Sequence, residues 1–182
     1  MQKLVFAVGL MLLAASALQA QVVPKGNVFI GYSYLHQGMN SIGPTNMNGW
    51  NGSLEGRVFP FVGLVVDFSG HYGSLPPLPC SGGPCFRSDF KLYNVLLGPR
   101  LSVSIHGIRP FAHALFGVAH ESQGGGSSGV SDNSFSTAIG GGVDFKLAPI
   151  IGWRVQADAL RTSLFGSSSV NLRASTGLVL RF

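Results

Sequence analysis

Trp50-Asn-Gly-Ser-Leu-Glu-Gly-Arg-Val58 decides the fold of this chain. Its alternate residues separate by character, with Trp50, Gly52, Leu54, Gly56 and Val58 on one side and Asn51, Ser53, Glu55 and Arg57 on the other. Successive side chains of a β-strand point to opposite faces, so the stretch reads as a strand with one apolar and one polar face. The next stretch repeats the pattern, setting Leu64, Val66, Phe68, Gly70 and Tyr72 against Asp67, Ser69 and His71. Only Phe59-Pro60-Phe61 lies between them, which makes the connection a tight reversal. Carried along the chain, the same period predicts eight strands over 27–36, 48–58, 62–73, 89–104, 109–121, 134–147, 152–163 and 170–182.

The connections between these strands alternate in length. Short ones fall at Phe59–Phe61, Ile105–Ile108 and Ala148–Ile151; long ones, carrying Gly, Ser, Pro and Asn, fall at 37–47, 74–88, 122–133 and 164–169. Short turns at one end and long loops at the other mark a transmembrane barrel, as does an even strand number. Composition agrees. Of 182 residues only 10% are charged, against about a quarter in soluble proteins, and the mean hydropathy is +0.34. Beyond residue 20 no apolar run reaches the roughly 20 residues a spanning helix needs.

A soluble eight-stranded barrel would turn its apolar parity inward and its polar parity to water. The polar parity here carries too few charges for that. It holds Ala138, Gly140, Gly142, Gly117, Gly177 and Ser175 beside scattered ions, which suits the packed interior of a narrow barrel. The apolar parity, with Tyr32, Tyr34, Trp50, Phe68, Tyr72, Tyr93, Phe116, Phe145 and Trp153, suits lipid and its aromatic girdles. The fold expected is thus an all-β, eight-stranded antiparallel up-and-down transmembrane β-barrel. Its lumen is expected to set Glu55, Asp67, Asp144 and Asp158 against Arg57, Arg100, Arg154 and Arg173. Buried ions are costly unless paired, so this near balance points to a salt-bridged plug. The alternative is a narrow, low-conductance pore.

The amino terminus reads as a secretory signal peptide: Lys3, then an apolar stretch from Leu4 to Ala17, then Leu18-Gln19-Ala20 before polar sequence. The expected division is 1–20 signal peptide and 21–182 barrel, with cleavage after Ala17 the alternative to cleavage after Ala20.

The last stretch, Val170-Asn-Leu-Arg-Ala-Ser-Thr-Gly-Leu-Val-Leu-Arg-Phe182, ends on an aromatic residue with Leu180 and Leu178 on its parity. It resembles the carboxy-terminal signal read by the outer-membrane assembly machinery. Together with Gly31-Tyr-Ser-Tyr34, Asn94-Val-Leu-Leu-Gly-Pro-Arg100, Pro110-Phe111 and Gly140-Gly-Gly-Val-Asp-Phe-Lys-Leu147, it is similar to the OmpA/OmpX-like outer-membrane β-barrel domain family. That resemblance implies a monomeric, multi-pass barrel in the outer membrane of a Gram-negative-type bacterium. It implies contact with outer-membrane lipids and lipopolysaccharide, and with periplasmic chaperones and the assembly machinery during biogenesis. It implies no single activity, since the family includes structural proteins, adhesins and lipid-modifying enzymes. The carboxy-terminal peptidoglycan-binding domain of full-length OmpA has no counterpart in this sequence.

Cys80-Ser-Gly-Gly-Pro-Cys85 lies in a Pro-rich outer loop. In an exported chain the two cysteines favour a disulfide that stiffens the loop tip. Gly124-Gly-Gly-Ser-Ser-Gly129 matches a nucleotide-binding glycine spacing, but no helix follows it, so it reads as a flexible loop. Asn51-Gly-Ser53 fits a glycosylation sequon within a strand. His120-Glu-Ser122 sets an imidazole and a hydroxyl on one side of a strand, similar to the arrangement in lipid A deacylases of the PagL kind. An acid beside them would complete a unit for acyl transfer. The Asn-Ala that follows the Ser in those enzymes is replaced by Gln123-Gly124, and the nearest acid downstream is Asp132. The remaining histidines lack ligand spacing, and the basic residues are spread singly, so neither a cofactor, a metal nor nucleic acid is indicated. The expected function is a structural or surface-interacting barrel without enzymatic activity. The alternatives are a lipid A acyl hydrolase using His120 and Ser122, and a pore.

Overall fold

The computed structural model describes residues 25–37, 46–74, 89–124, 130–164 and 167–182. Eight strands follow one another: β1 (Gly26–His36), β2 (Asn46–Arg57), β3 (Val62–Ser74), β4 (Asp89–Ser102), β5 (Ile108–Gly124), β6 (Val130–Lys146), β7 (Ile151–Leu164) and β8 (Ser167–Arg181). Each pairs antiparallel with its neighbours, and β1 pairs with β8, so the sheet closes into a barrel. Closure gives every strand two partners and leaves no open edge to desolvate in a bilayer. The seam is fastened at its end by reciprocal bonds: the Gly26 amide donates to the Phe182 carbonyl at 2.9 Å and the Phe182 amide to the Gly26 carbonyl at 3.1 Å.

Three tight reversals define the turn end. Between β4 and β5, Ile105 and Ile108 exchange backbone hydrogen bonds of 2.8 and 2.9 Å across His106 and Gly107. Both central residues have positive φ, 41° and 91°. That is the two-residue hairpin geometry whose twist matches the flanking strands, and glycine adopts it without steric cost. The opposite, loop end departs from expectation in two places. β5 and β6 run on to Gly124 and Val130, and β7 and β8 approach to Leu164 and Ser167, so the connection of six residues expected there shrinks to residues 165–166. Those strand ends are rich in Ser, which reads as loop by composition but completes a ladder when a partner strand is alongside.

The parity assignment is as expected. Tyr32, Trp50, Phe68, Tyr72, Tyr93, Phe116, Phe145 and Trp153 are exposed on the outside of the barrel. Glu55, Asp67, Asp144, Asp158, Arg100, Arg154 and Arg173 are buried within it. The protein is inside out relative to a soluble one. Exposed Ile30, Leu54, Leu64, Leu97, Ile139, Val155, Leu172 and Leu178 form an apolar belt of a size that water does not tolerate. Among the described residues no helix is long and apolar enough to cross a membrane; the strands do the crossing.

The lumen is narrow enough for glycine to be required at particular places. A Cβ on Gly177 would collide with the Gly31 Cα and the Ile30 backbone across the seam, and one on Gly140 with the Ala157 carbonyl and the Asp158 side chain. Gly56 faces outward with nothing within 4 Å. Gly140→Leu should therefore cost about 1–3 kcal/mol or more through overpacking, and Gly56→Ala should fold like the parent. The check is the fraction of heat-modifiable folded band on a gel as urea is raised in detergent. Equal tolerance of the two substitutions would contradict the packed lumen.

Candidate functional site

The polar lumen forms because inward residues of strands far apart in sequence meet across a narrow bore. Its chemistry occupies the half nearer the turns. Glu55 of β2 accepts from Arg100 Nη1 at 3.0 Å, Arg109 Nη2 at 2.7 Å and Asn27 Nδ2 at 2.8 Å. Arg154 grips Asp144 in a two-pronged pair, Nε at 2.6 Å and Nη2 at 3.0 Å. The guanidinium groups of Arg100 and Arg154 lie over the Phe111 ring, 4.3 and 4.7 Å from its centroid, and Arg154 also lies 5.0 Å from the Phe29 centroid. These rings supply cation–π contact where water is excluded.

A second cluster lies further from the turns. Arg173 spans two carboxylates, with Nη1 2.7 Å from Asp67 and Nη2 2.8 Å from Asp158. Asn51 Nδ2 donates to the other Asp67 oxygen at 2.9 Å, and Gln156 Nε2 donates to Asn51 at 3.0 Å. His113 joins the clusters. Arg100 Nη2 stands 3.2 Å from its Nδ1 and Asp158 Oδ1 2.7 Å from its Nε2. A guanidinium can only donate, so Nδ1 accepts and Nε2 carries the hydrogen that reaches Asp158.

The expected lumen residues are thus brought together, with one exchange. Arg57 carries the right parity but ends β2 beyond Glu55, where the lumen opens, and is half-buried outside the ion pairs. Its place against Glu55 is taken by Arg109, at the start of β5. Parity assigns a face but not a depth. The stagger of tilted strands sets depth, and it brings the end of β2 level with the start of β5. Four acids, Glu55, Asp67, Asp144 and Asp158, still meet four guanidinium groups, Arg100, Arg109, Arg154 and Arg173. His113 is a participant that no spacing rule singles out.

The expectation of a polar lumen throughout needs correcting. Toward the loop end the bore is filled by Leu35, Met47, Phe90, Leu92, Leu115 and Leu160, with Ala119 and Ala138 between them. All are essentially buried. They form an apolar stopper over the ionic layer, and two polar threads run up beside it: His71, Ser33 and Ser175, linked at 2.8 and 2.9 Å, and Ser69, Asn94 and Ser136, linked at 3.5 and 3.4 Å and tied to Arg173 through a 3.2 Å bond to Ser69.

His120 and Ser122 share the outer face of β5, as expected, but they do not form a catalytic unit. His120 Nδ1 is 2.7 Å from the Asn133 side-chain oxygen. Ser122 stands opposite Ser131, and Asp132 stands opposite Glu121 on lumen parity, so the nearest acid lies on the other face of the sheet. Asn51 of the sequon is buried in the lumen. Phe182, Leu180 and Leu178 line the outer surface of the last strand. Cys80, Cys85 and residues 1–20, expected to be a signal peptide, lie outside the described residues, as does most of the Gly124–Gly129 stretch. Among the described residues no group of His, Cys, Asp or Glu could hold a metal.

No protein-family model matches the sequence, and no curated protein matches it. Solved structures do. Ail, the attachment invasion locus protein of Yersinia pestis, in complex with the heparin analogue sucrose octasulfate, is 19% identical with a TM-score of 0.63, covering 87% of this chain and 99% of its own. Neisserial surface protein A is 15% identical with a TM-score of 0.69, covering 86% and 97%. The amino-terminal β-barrel domain of Pseudomonas aeruginosa OprF is 12% identical with a TM-score of 0.55, covering 87% and 99%. The fold is that of the OmpA/OmpX-like barrels of the Gram-negative outer membrane, and the apolar exterior requires the same lipid setting.

Two measurements follow from this geometry. Arg173→Met strands two carboxylates and should cost about 3–5 kcal/mol, whereas Arg57→Gln should change stability by under about 0.5 kcal/mol, both read from urea midpoints in detergent. A lumen indifferent to Arg173 is not held by ion pairing. Separately, lipid A incubated with the folded protein or with Ser122→Ala should keep all its acyl chains by mass spectrometry; acyl loss with the parent alone would restore the hydrolase reading.

Proposed function

We propose that this barrel is a closed structural platform of the outer membrane, whose loop-end segments make contacts at the cell surface. The observation that supports a closed platform over a channel is the double barrier in the bore. An ion entering from the loop end meets Leu35, Met47, Phe90, Leu92, Leu115 and Leu160, which offer it no ligand. An ion entering from the turn end meets guanidinium and carboxylate groups already committed to one another. To pass, it would have to break pairs whose separation leaves buried charge uncompensated.

The loop sequences shape what the contact could be. Residues 38–45, 75–88, 125–129 and 165–166 carry a single charged side chain, Arg87. The loop ends of the strands add Lys91 and Arg161, set against Asp89, Glu121 and Asp132. The Ail structure holds a polyanionic heparin analogue, but capture of such a ligand by charge needs a cluster of bases, and these segments have none. Contacts through hydrogen bonds and the Pro-rich, apolar 75–88 segment suit a protein surface better. Assembly into the membrane would be directed by the Phe182, Leu180 and Leu178 face, and the barrel would act as a monomer.

Planar bilayers containing the folded protein should be electrically silent. Steady single-channel current would overturn the closed platform. For the contact role, cells displaying the chain should adhere to protein-coated surfaces, and cells displaying a variant with 76–86 replaced by Gly-Gly-Ser should adhere less at equal surface level. Undiminished adhesion by that variant would remove 75–88 as the contact region.

A further inference from the structure

Charge is distributed unevenly along the barrel axis, and the excess lies at the end away from the loops. At the turn-end rim stand Lys25, Arg57, Arg109, Lys146 and Arg181, all half-buried or exposed except Arg109. The acids on this side, Glu55 and Asp144, are buried behind them and engaged with Arg100, Arg109 and Arg154. Among the described residues no carboxylate lies within ion-pair distance of Lys25, Arg57 or Lys146. Asp144 approaches Arg181 at 3.9 Å, looser than the 2.6–3.0 Å pairs of the lumen.

Four of these cations, Lys25, Arg57, Arg109 and Arg181, line a cavity of about 350 Å³, with Ile150 and Phe182 as an apolar wall. Arg181 is the informative residue. Its Nε and Nη2 are buried and have no hydrogen-bond acceptor. A guanidinium without an acceptor is unfavourable unless a ligand supplies one. Elsewhere in the lumen the charges of the guanidinium groups are matched by carboxylates. Here Lys25, Arg57, Arg109 and Arg181 converge on a space whose lining holds no Asp or Glu side chain.

We propose that the turn-end mouth is a binding site for a phosphate group. Its charge would offset Lys25 and Arg57, its oxygens would accept from the Arg181 guanidinium once that side chain turns its enclosed donors toward the cavity, and Arg109 would form the floor. A phosphate fits the forked donors of arginine. The volume exceeds one phosphate, and the Ile150 and Phe182 wall can cover an apolar neighbour of it. The group can come from an anionic phospholipid headgroup, which the inner leaflet brings to this rim, or from free phosphate. The inference is independent of what the loops contact.

The test uses the full-length protein folded in dodecylmaltoside, with folding verified by heat modifiability. Calorimetry would follow titration with inorganic phosphate, with dihexanoyl phosphatidylglycerol and with dihexanoyl phosphatidylcholine. The rim variant is Lys25→Gln with Arg57→Gln, which disturbs no ion pair, and the control is Lys91→Gln at the loop end. The parent and the control should bind the phosphatidylglycerol at least tenfold more tightly than the rim variant does, and more tightly than they bind the zwitterionic lipid. Competition by inorganic phosphate would identify the phosphate group alone as the ligand. Binding of the anionic lipid without such competition would assign the site to a headgroup. Absence of binding by both anions, equal affinity for the two lipids, or an unaffected rim variant would overturn the proposal.

Discussion

The pairing of buried charge in a bore only wide enough for side chains governs the rest of this structure. A carboxylate in the lumen cannot be solvated, so each of Glu55, Asp67, Asp144 and Asp158 is met by at least one guanidinium. Arg173 illustrates how tight the constraint is, since it serves Asp67 on β3 and Asp158 on β7 together. Such a bridge fixes the relative positions of strands on different sides of the barrel. Register follows, because a slip of one residue would turn the ions to lipid and the aromatic residues into the bore. The glycines belong to the same constraint: at Gly140 the neighbouring Ala157 carbonyl and Asp158 carboxylate leave room only for a residue without Cβ.

The alternation of the sequence carried this fold almost completely, because a membrane barrel has one dominant periodicity and two solvents to satisfy. Trp50 to Val58 already contains the decision, and every strand repeats it. The sequence was less informative wherever a property depended on strand stagger. Arg57 and Arg109 are both arginines on lumen parity near the turns, and nothing local says which reaches Glu55. His113 looks isolated in sequence because its partners, Arg100 and Asp158, belong to strands on either side of it. The apolar stopper was overlooked for a related reason. Leu92, Leu115 and Leu160 sit on lumen parity within apolar surroundings, where alternation weakens and both faces look alike.

The Ser-rich strand ends show a different limit. Residues 130–133 and 167–169 have the composition of a loop, yet they extend β6 and β8 because β5 and β7 supply a ladder beside them. Propensity describes what a segment prefers alone. In a closed sheet the neighbouring strand decides.

The axial order of the lumen has a consequence for what the barrel can do. A stopper of leucine above a neutral ionic layer leaves, among the described residues, packed threads of Ser, Asn and His side chains beside it in place of an open path, so chemistry that involves the outside is confined to the two ends. Those ends differ in kind. The loop end balances its few charges and is built of Gly, Ser and Pro, which suits contact without electrostatic selection. The turn end gathers Lys25, Arg57, Arg109, Lys146 and Arg181, and among the described residues no Asp or Glu side chain is exposed there. Packing of the bore does not require that gathering, because the inner layer is already neutral without Lys25, Arg57, Lys146 or Arg181. A charge excess that packing does not explain is what an anionic group meeting the barrel at that end would neutralise.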